Sequence, residues 1–357
     1  MDASILRAAG DLSRREAIRV GAALGAALAA GGCAAAESRA AGAEAAYGGG
    51  APSPAVPDPA KSALARSPKR YPNRKSINLW AFPYPAKMTL KECFALAKRA
   101  GFDGVEMNYD LEGDLSPKSS EADIRAIGEA ARAAGLGISG LCSFLFWPYP
   151  LSSGDAAVRE RSLDLARKMV QAAAWLGTEN LLVVPGAVGI PWIKGSEVVP
   201  YDLVDRRARE AVGKLLSDAE RLGVRLNIEN IFFSGYLLSP PDMIQFVDGF
   251  KSPFVKVHFD TGNISPFQYP EHWIPLLGPR IQNVHLKEWS KESTDFSLAA
   301  FRPLLDGTTD WPAVMDAFEA AGYKGYLTVE HFQPWRHYPE ALVWQASDAL
   351  DRILGRG

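Results

Sequence analysis

From residue 77 onward, short apolar runs rich in β-branched residues alternate eight times with longer stretches of helical periodicity. This alternation is typical of repeated strand and helix units, which build a parallel sheet covered by helices. Eight units within the 282 residues that follow Lys75 predict an α/β protein with a single (β/α)8 TIM barrel. An open doubly wound sheet would carry a glycine-rich phosphate turn after its first strand, and Ile77–Ala86 contains no glycine.

The periodicity also gives approximate bounds for each element. The predicted strands are Ile77–Phe82, Gly104–Met107, Gly137–Ser143, Asn180–Val184, Arg225–Glu229, Val255–Asp260, Ile281–Leu286 and Tyr326–Glu330. The predicted helices are Thr89–Ala100, Glu121–Ala134, Asp155–Leu176, Tyr201–Leu222, Pro240–Phe250, Pro270–Leu277, Trp311–Ala321 and Pro339–Leu354. Glycine follows several of these helices, as is common where an α-helix ends.

The barrel segment is acidic, and this excludes one class of partner. Residues 76–357 carry 28 basic and 35 acidic side chains, so we expect no nucleic acid partner. The three cysteines, Cys33, Cys93 and Cys142, are too few and too scattered for a disulfide framework or a cysteine-rich zinc site. The sequence carries no signal for an oligomeric state.

The N-terminus has the features of an export signal. Residues 13–19 read Ser-Arg-Arg-Glu-Ala-Ile-Arg, and a small apolar run extends from Val20 to Gly32. We predict a twin-arginine signal peptide over residues 1–33 and a periplasmic or envelope location, because the apolar run is too short to span a membrane. Cys33 is a weaker signal for a lipid anchor, which would be the protein's one link to a membrane. The alternative is an Ala-rich helix that stays in the cytoplasm.

A low-complexity segment separates this signal from the barrel. Residues 34–75 are rich in Ala, Gly, Pro and Ser. Such a composition buries too little apolar surface to offset the entropy lost on ordering the chain. We therefore predict a linker over residues 34–75 and a barrel domain over residues 76–357.

Side chains suited to binding a hard metal ion end four consecutive predicted strands. They are Glu229, Asp260, His285 and Glu330. Any one of them alone would more often be a helix cap or part of a surface ion pair. Together they are expected to converge, because chemistry in a TIM barrel collects at the C-terminal ends of the strands, and buried carboxylates need a cation to neutralise them. Three carboxylates and one imidazole favour Mn²⁺ or Mg²⁺, with Co²⁺ and Zn²⁺ as alternatives.

Four motifs stand at these strand ends in the order Asn227-Ile228-Glu229-Asn230, Asp260-Thr261-Gly262-Asn263, His285-Leu286-Lys287-Glu288 and GYKGYLTVE over residues 322–330. Together they resemble the sugar phosphate isomerase/epimerase family of xylose-isomerase-like TIM barrels, which is related to the ketose 3-epimerases. The resemblance spans roughly residues 76–355. It implies that one divalent metal is bound by the four side chains named above, with Glu229 and Glu330 also acting as acid and base.

Two positions depart from the ketose 3-epimerase pattern. Asn263 stands three residues after the metal-binding Asp, where a His that touches the substrate is common. Lys291 stands six residues after the metal-binding His, where Arg is common. These departures leave the sugar open, and Asn263 becomes a candidate substrate-binding residue. The related barrel endonucleases need many histidines for a trinuclear zinc site, and this chain has five, so that activity is not expected.

The predicted activity is that of a metal-dependent isomerase or epimerase acting on a small keto-sugar, with Mn²⁺ as the expected ion. The metal would stabilise an enediolate while one glutamate removes a proton from carbon and the other returns a proton to the opposite face. Export and the lack of a phosphate-binding motif after strands seven and eight favour an unphosphorylated sugar. The alternatives are a metal-dependent lyase acting on 3-keto-glycosides and a non-catalytic sugar-binding module of the envelope.

Other side chains near the strand ends are candidates for contacting the substrate. Lys287 follows His285 by two positions on one strand and should face the same side, with an ion pair as the alternative role. Glu106 ends strand two, where a buried structural role is the alternative. Aromatic rings in the same region could stack on a sugar or pack the loops: Trp80, which we favour for substrate binding, Phe146, Trp147, Trp192 and Trp289.

Overall fold

The computed structural model describes residues 69–332 and 334–356, and in these residues eight parallel strands close into a barrel surrounded by eight α-helices. The strands are β1 (Arg74–Asn78), β2 (Gly104–Asn108), β3 (Gly137–Cys142), β4 (Asn180–Val183), β5 (Arg225–Glu229), β6 (Val255–Asp260), β7 (Ile281–Leu286) and β8 (Tyr326–Val329). The helices are α1 (Leu90–Arg99), α2 (Glu121–Ala133), α3 (Ala156–Leu176), α4 (Tyr201–Leu222), α5 (Pro240–Asp248), α6 (Pro270–Leu277), α7 (Trp311–Ala320) and α8 (Pro339–Ile353). The predicted (β/α)8 barrel is confirmed.

The strands follow one another around the barrel in chain order, and β8 pairs with β1 to close it. Polar caps begin several helices: Thr89 before α1 and Ser120 before α2 each form a reciprocal capping box with the residue three positions later. Gly177 ends α3 with a φ of 84°, and Gly223 ends α4 with a φ of 69°. This left-handed conformation favours glycine, which explains why the sequence pattern located these helix ends correctly.

Strand β1 is shifted from its predicted position. It begins at Arg74 and ends at Asn78, and Leu79–Ala81 forms a short 3₁₀ turn where the sequence predicted strand. The side chain of Asn78 accepts the backbone N–H of Trp80 at 2.8 Å. A side chain that bonds its own backbone in this way competes with strand pairing, so the strand stops at Asn78.

The barrel also begins before residue 76, the predicted boundary. The buried ammonium of Lys75 lies 2.7 Å from Asp351 Oδ2, and the backbone N–H of Tyr71 donates to the carbonyl of Leu354. These contacts tie the start of the barrel to α8 and the residues that follow it. The predicted signal peptide, Cys33 and the predicted linker up to residue 68 lie outside the described residues.

None of the helices in the described residues combines the length and the apolar character that crossing a bilayer requires.

The inside of the barrel is polar, whereas the outer faces of the strands are apolar. Buried apolar side chains on the outer faces pack against the helices: Ile77, Val105, Leu181, Ile228, Val257, Val284 and Leu327. Alternate positions point inward, as the period of two in a strand requires. The inward layer below the site is a hydrogen-bonded set of small polar side chains, which includes Ser76, Ser139, Asn180, Asn227, Asn283 and Thr328. These hydrogen bonds offset much of the cost of burying the polar groups, although Oδ1 of Asn227 has no partner among the described residues.

Helix α2 packs closely on the end of α3 at Gly128. A Cβ added at Gly128 would lie 2.4 Å from the carbonyl oxygen of Leu176, which is backbone and cannot move freely. Gly213, inside α4, offers a matched control because an added Cβ there meets nothing within 4 Å.

We predict that Gly128→Ala lowers the free energy of unfolding by about 1–3 kcal/mol, because overpacking forces the two helices apart. Gly213→Ala should raise it by about 0.5–1 kcal/mol, because alanine is the better helix former. Urea-induced unfolding followed by circular dichroism checks both values. Equal effects of the two substitutions would contradict this account of the α2–α3 contact.

Candidate metal centre

Four consecutive strands deliver one polar side chain each to the same end of the barrel. Glu229 is the last residue of β5 and Asp260 the last of β6, whereas His285 lies in β7 and Glu330 directly follows β8. The register places Asp260 opposite His285 on the neighbouring strand. Parallel strands share one C-terminal edge, so the residues that end them meet there.

The four side chains surround one point. From Nδ1 of His285, Oε2 of Glu330 lies 3.1 Å away, Oε1 of Glu229 lies 3.6 Å away and Oδ2 of Asp260 lies 3.7 Å away. One ligand atom from each residue falls within 4.8 Å of all the others, and all four residues are buried. The structure therefore brings together the complete set of metal ligands expected from the sequence.

The donor atoms at this point fit a divalent cation. Nδ1 of His285 is buried and has no hydrogen-bond partner among the described residues. The three carboxylates together carry three negative charges, and the buried ammonium of Lys287 offsets one of them. With His285 neutral, a divalent cation would neutralise the remaining two charges of these three carboxylates and give Nδ1 of His285 a partner. An unpaired buried charge is otherwise costly, so the chemistry of this set favours a cation.

Glu106 fixes the orientation of His285. Its Oε2 lies 2.6 Å from Nε2 of His285 and also accepts a 2.7 Å hydrogen bond from Nδ2 of Asn78. A carboxylate on one imidazole nitrogen sets the tautomer, which turns the other nitrogen toward the carboxylates. The sequence suggested Glu106 as a substrate-binding residue. The structure instead places this fully buried side chain on the side of the imidazole away from the other three acids, so Glu106 is a positioning residue.

Asp260 presents only one of its oxygens to the cluster. Its Oδ1 accepts the backbone N–H groups of Gly262 and Asn263, both at 2.8 Å. Its Oδ2 is left facing Nδ1 of His285 and the ammonium of Lys287. Glycine is needed at position 262, because an added Cβ would lie 2.3 Å from Cβ of Lys287.

Lys287 and Asn263, both predicted to bind substrate, lie inside the cluster. Nζ of Lys287 lies 2.9 Å from Oδ2 of Asp260, contacts Oε2 of Glu330 and donates to Oδ1 of Asn263 at 3.1 Å. The amide of Asn263 donates in turn to Oε1 of Glu229 at 3.3 Å. These two side chains therefore link the carboxylates on opposite sides of the cluster.

Burial and neighbouring charges have opposite effects on the pKa values of Glu229, Glu330 and His285. Burial raises the pKa of Glu229 to about 7, although the nearby His285 and the charge of Lys287 oppose the shift. Burial would raise the pKa of Glu330 as well, but Lys287 and His285 outweigh it and lower that pKa to about 2. Burial has the reverse effect on His285 and lowers its pKa, yet Glu106 and Glu330 outweigh burial and raise that pKa well above the usual value. In the chain alone, Lys287 and a protonated His285 thus offset part of the negative charge of the acids.

The aromatic candidates divide into two groups. Phe146 and Trp289 are fully buried and pack the loops, so they are not available to a substrate. Trp80 is half-buried on the turn after β1, and its ring centroid lies 6.5 Å from that of Phe144. Trp80 therefore belongs to the loops at the mouth of the barrel and not to the polar cluster.

One functional residue, Asn78, was missed by the sequence analysis. Its side chain bonds both Glu106 and the backbone of Trp80. The signal available in the sequence was a polar residue near the end of the first strand, but a single asparagine gives no indication that its partner lies on β2.

Residues 94–352 match the xylose isomerase-like TIM barrel family over more than half of the chain. The chain belongs to this family. The resemblance inferred from the four motifs is thereby confirmed, and the family is one of enzymes that includes sugar isomerases and epimerases.

Relatives of this xylose isomerase-like barrel carry epimerase names. A putative L-ribulose-5-phosphate 3-epimerase of Escherichia coli (strain K12) is 26% identical over 263 residues, covering 71% of this chain and 88% of the relative. An L-ribulose-5-phosphate 3-epimerase of Escherichia coli O1:K1 / APEC is 26% identical over 280 residues, covering 76% of this chain and 92% of the relative.

Solved structures share the fold. An L-ribulose 3-epimerase superposes with a TM-score of 0.65 at 22% identity, covering 79% of this chain and 94% of the other. A D-psicose 3-epimerase determined in the presence of D-fructose superposes with a TM-score of 0.64 at 19% identity, covering 80% of this chain and all of the other. At this level of identity the likeness establishes the barrel architecture.

We predict that Glu106→Gln weakens binding of Mn²⁺ by about 10- to 100-fold, because the amide no longer holds the His285 tautomer that turns Nδ1 toward the acids. Titration calorimetry on chelator-treated protein measures the affinity. Glu112→Gln, in the loop after β2 and largely exposed, is the matched control and should bind Mn²⁺ like the parent protein. Equal affinities for Glu106→Gln and the control would remove the positioning role of Glu106.

Proposed function

We propose that the protein is a divalent-metal-dependent epimerase of keto-sugars that uses Mn²⁺. The observation that carries this proposal is the meeting of Glu229 and Glu330 beside Asp260 and His285. β5 and β8 are three places apart around the barrel, with β6 and β7 between them. Glu229 and Glu330 therefore approach one point from opposite sides, which is the arrangement that inversion at a carbon atom requires.

The cation would be held by Glu229, Asp260, His285 and Glu330. Oxygen donors outnumber nitrogen by three to one in this set, and such a set favours Mn²⁺ or Mg²⁺ over softer ions. When bound, the cation supplies a Lewis acid that stabilises negative charge on the carbonyl and hydroxyl oxygens of the sugar.

The protein side chains would carry the proton transfers. One of the two glutamates removes the proton from the carbon next to the carbonyl, and the other returns a proton to the opposite face of that carbon. Transfer from the opposite face inverts the centre, whereas return from the same side would restore the original configuration. The placement of two acids on opposite sides of the cluster thus favours epimerisation.

Lys287 and Asn263 would orient the sugar. Both are buried beside the carboxylates and both have polar hydrogens that can be donated to sugar oxygens. A cation at the centre would repel the ammonium of Lys287 from Asp260 and Glu330. Lys287 would then be free to donate to a substrate oxygen, where its charge stabilises the developing oxyanion.

We also propose that the enzyme is exported and acts on an unphosphorylated sugar. The twin-arginine pattern at residues 13–19 supports export. Sugar phosphates are largely cytosolic, and the chain has no glycine-rich phosphate motif after β7 or β8. The relatives at 26% identity are named for L-ribulose 5-phosphate, a phosphorylated sugar, so the proposal departs from them on the export pattern and the missing phosphate motif.

We predict that the Mn²⁺-loaded enzyme incorporates solvent deuterium at C3 of D-fructose or L-ribulose, and that chelation of the metal stops this exchange. Glu229→Gln and Glu330→Gln should each slow epimerisation at C3 by at least about 100-fold at saturating Mn²⁺, because inversion needs a proton-transfer group on both faces of the carbon. The variant that keeps the glutamate facing the C3 hydrogen of the sugar should still exchange that hydrogen. Proton NMR in heavy water follows both epimerisation and exchange, and Mn²⁺ content is measured in the same samples.

Glu129→Gln, exposed on α2, is the control and should exchange at the parent rate. Epimerisation at the parent rate by Glu330→Gln with its metal retained would remove that residue from the acid and base pair. Metal-dependent binding of sugars without any exchange would instead identify a binding module.

A further inference from the structure

Aromatic rings form a closed circuit at the mouth of the barrel. Seven side chains make this aromatic collar: Trp80, Phe144, Trp147, Trp192, Phe233, Phe301 and Phe332. Each ring centroid lies 4.6–6.5 Å from the next, and the last ring returns to the first. These spacings are those of ordinary aromatic pairs, so the circuit is held together by its own contacts.

The collar encircles the mouth. Its members come from the loops that follow β1, β3, β4, β5, β7 and β8, and the order of ring contacts is the order of these strands around the barrel. In an ordinary packing cluster on one side of the barrel, the ring contacts would connect a few neighbouring loops and would not return to the first ring. This circuit instead connects Phe332, after β8, back to Trp80, after β1, at 6.1 Å.

The collar lies directly above the polar cluster. The rings of Phe301 and Phe332 lie 5.1 Å and 4.5 Å from Nζ of Lys287, measured to the ring centroids. Lys287 itself contacts Asp260 and Glu330. The collar is therefore the next layer outward from the four candidate metal ligands.

The collar rings keep part of their surface accessible, unlike the aromatic side chains that pack the loops. Phe146 and Trp289 are 2% and 1% exposed, whereas six of the seven collar members are half-buried and Trp147 reaches 9%. Trp192 also has a buried indole N–H without a hydrogen-bond partner among the described residues, which a ligand oxygen would satisfy. Accessible ring faces around an opening are suited to stacking on a ligand.

A single ketose cannot use this whole surface. The polar cluster takes the carbonyl end of one sugar, and a sugar ring has only two faces with which to stack, whereas the collar offers seven rings from six loops. The lysine in the loop after β7 does not favour a phosphate here, because Nζ of Lys291 donates to the carbonyls of Ser265 and Gln268.

We propose that the substrate is an uncharged keto-sugar joined to a second ring, and that the second ring stacks within the aromatic collar while the keto-sugar occupies the polar cluster. This inference rests on the proposed function for the position of the keto-sugar. The second ring is an aromatic aglycone or a second sugar, since both present a flat apolar face.

Binding of four probes to the Mn²⁺-loaded protein tests the proposal by calorimetry: D-fructose, D-fructose 6-phosphate, isomaltulose and phenyl 3-keto-β-D-glucopyranoside. Isomaltulose or the phenyl glycoside should bind at least about tenfold more tightly than D-fructose, as expected for added aromatic stacking. A gain for the phenyl glycoside alone identifies an aromatic aglycone, and a gain for isomaltulose alone identifies a second sugar. D-Fructose 6-phosphate should bind no more tightly than D-fructose.

Substitutions locate the second ring. The two-ring advantage is the ratio of the affinity for the tighter two-ring probe to the affinity for D-fructose. Trp192→Ala and Phe144→Ala should each reduce this ratio at least about fivefold, while changing the affinity for D-fructose itself by less than twofold. Trp344→Ala, half-exposed on α8, is the control and should keep the full advantage. The two substitutions lie on different loops, so if one variant fails to fold, the other still tests the proposal.

The proposal is overturned if neither two-ring probe binds more tightly than D-fructose, if D-fructose 6-phosphate binds most tightly, or if no probe binds. Because calorimetry reports binding whether or not the probe is turned over, a two-ring preference in a protein that exchanges no deuterium would contradict the proposed epimerase function and leave the substrate class standing. Exchange with D-fructose but no two-ring preference would contradict the two-ring substrate and leave the proposed epimerase function standing.

Discussion

The burial of three carboxylates around one imidazole is the constraint on which the rest of this structure depends. Four parallel strands in register bring Glu229, Asp260, His285 and Glu330 to one point, and their ligand atoms lie within 4.8 Å of one another. Like charges at this separation repel strongly when water is excluded, so the arrangement persists only if positive charge is supplied. Lys287 supplies part of it, and the proposed divalent cation supplies the rest.

Several features of the surrounding structure serve this cluster. Glu106 and Asn78 hold the imidazole from below, and the backbone after β6 holds one oxygen of Asp260 so that the other faces the centre. Below the cluster, small polar side chains inside the barrel form hydrogen bonds with one another. Above it, the aromatic collar replaces water with rings, which strengthens the electrostatic interactions of any sugar bound beneath it.

The fold and the ligand set could be predicted from the sequence because both depend on local patterns, namely the periodicity of apolar residues and the polar residues at the strand ends. Strands β5, β6 and β7 agree with their predicted bounds, since apolar and polar residues mostly alternate there, and β5 and β6 end on a carboxylate. The bounds of β1 were wrong because the Asn78 side chain bonds its own backbone, which apolar periodicity does not reveal. The role of Glu106 depends on its register with β1 and its contact with β7, and the collar depends on six loops meeting in space. Contacts between residues so far apart in sequence are not encoded in any one segment.

We propose that a divalent cation lies among these four side chains. Anomalous scattering from crystals of the full chain grown with Mn²⁺ tests this most directly. We expect one manganese peak per chain at coordination distance from Glu229, Asp260, His285 Nδ1 and Glu330, with the ammonium of Lys287 turned away from Asp260. The absence of a peak at this point, with Lys287 still paired to Asp260 and Glu330, would contradict the account.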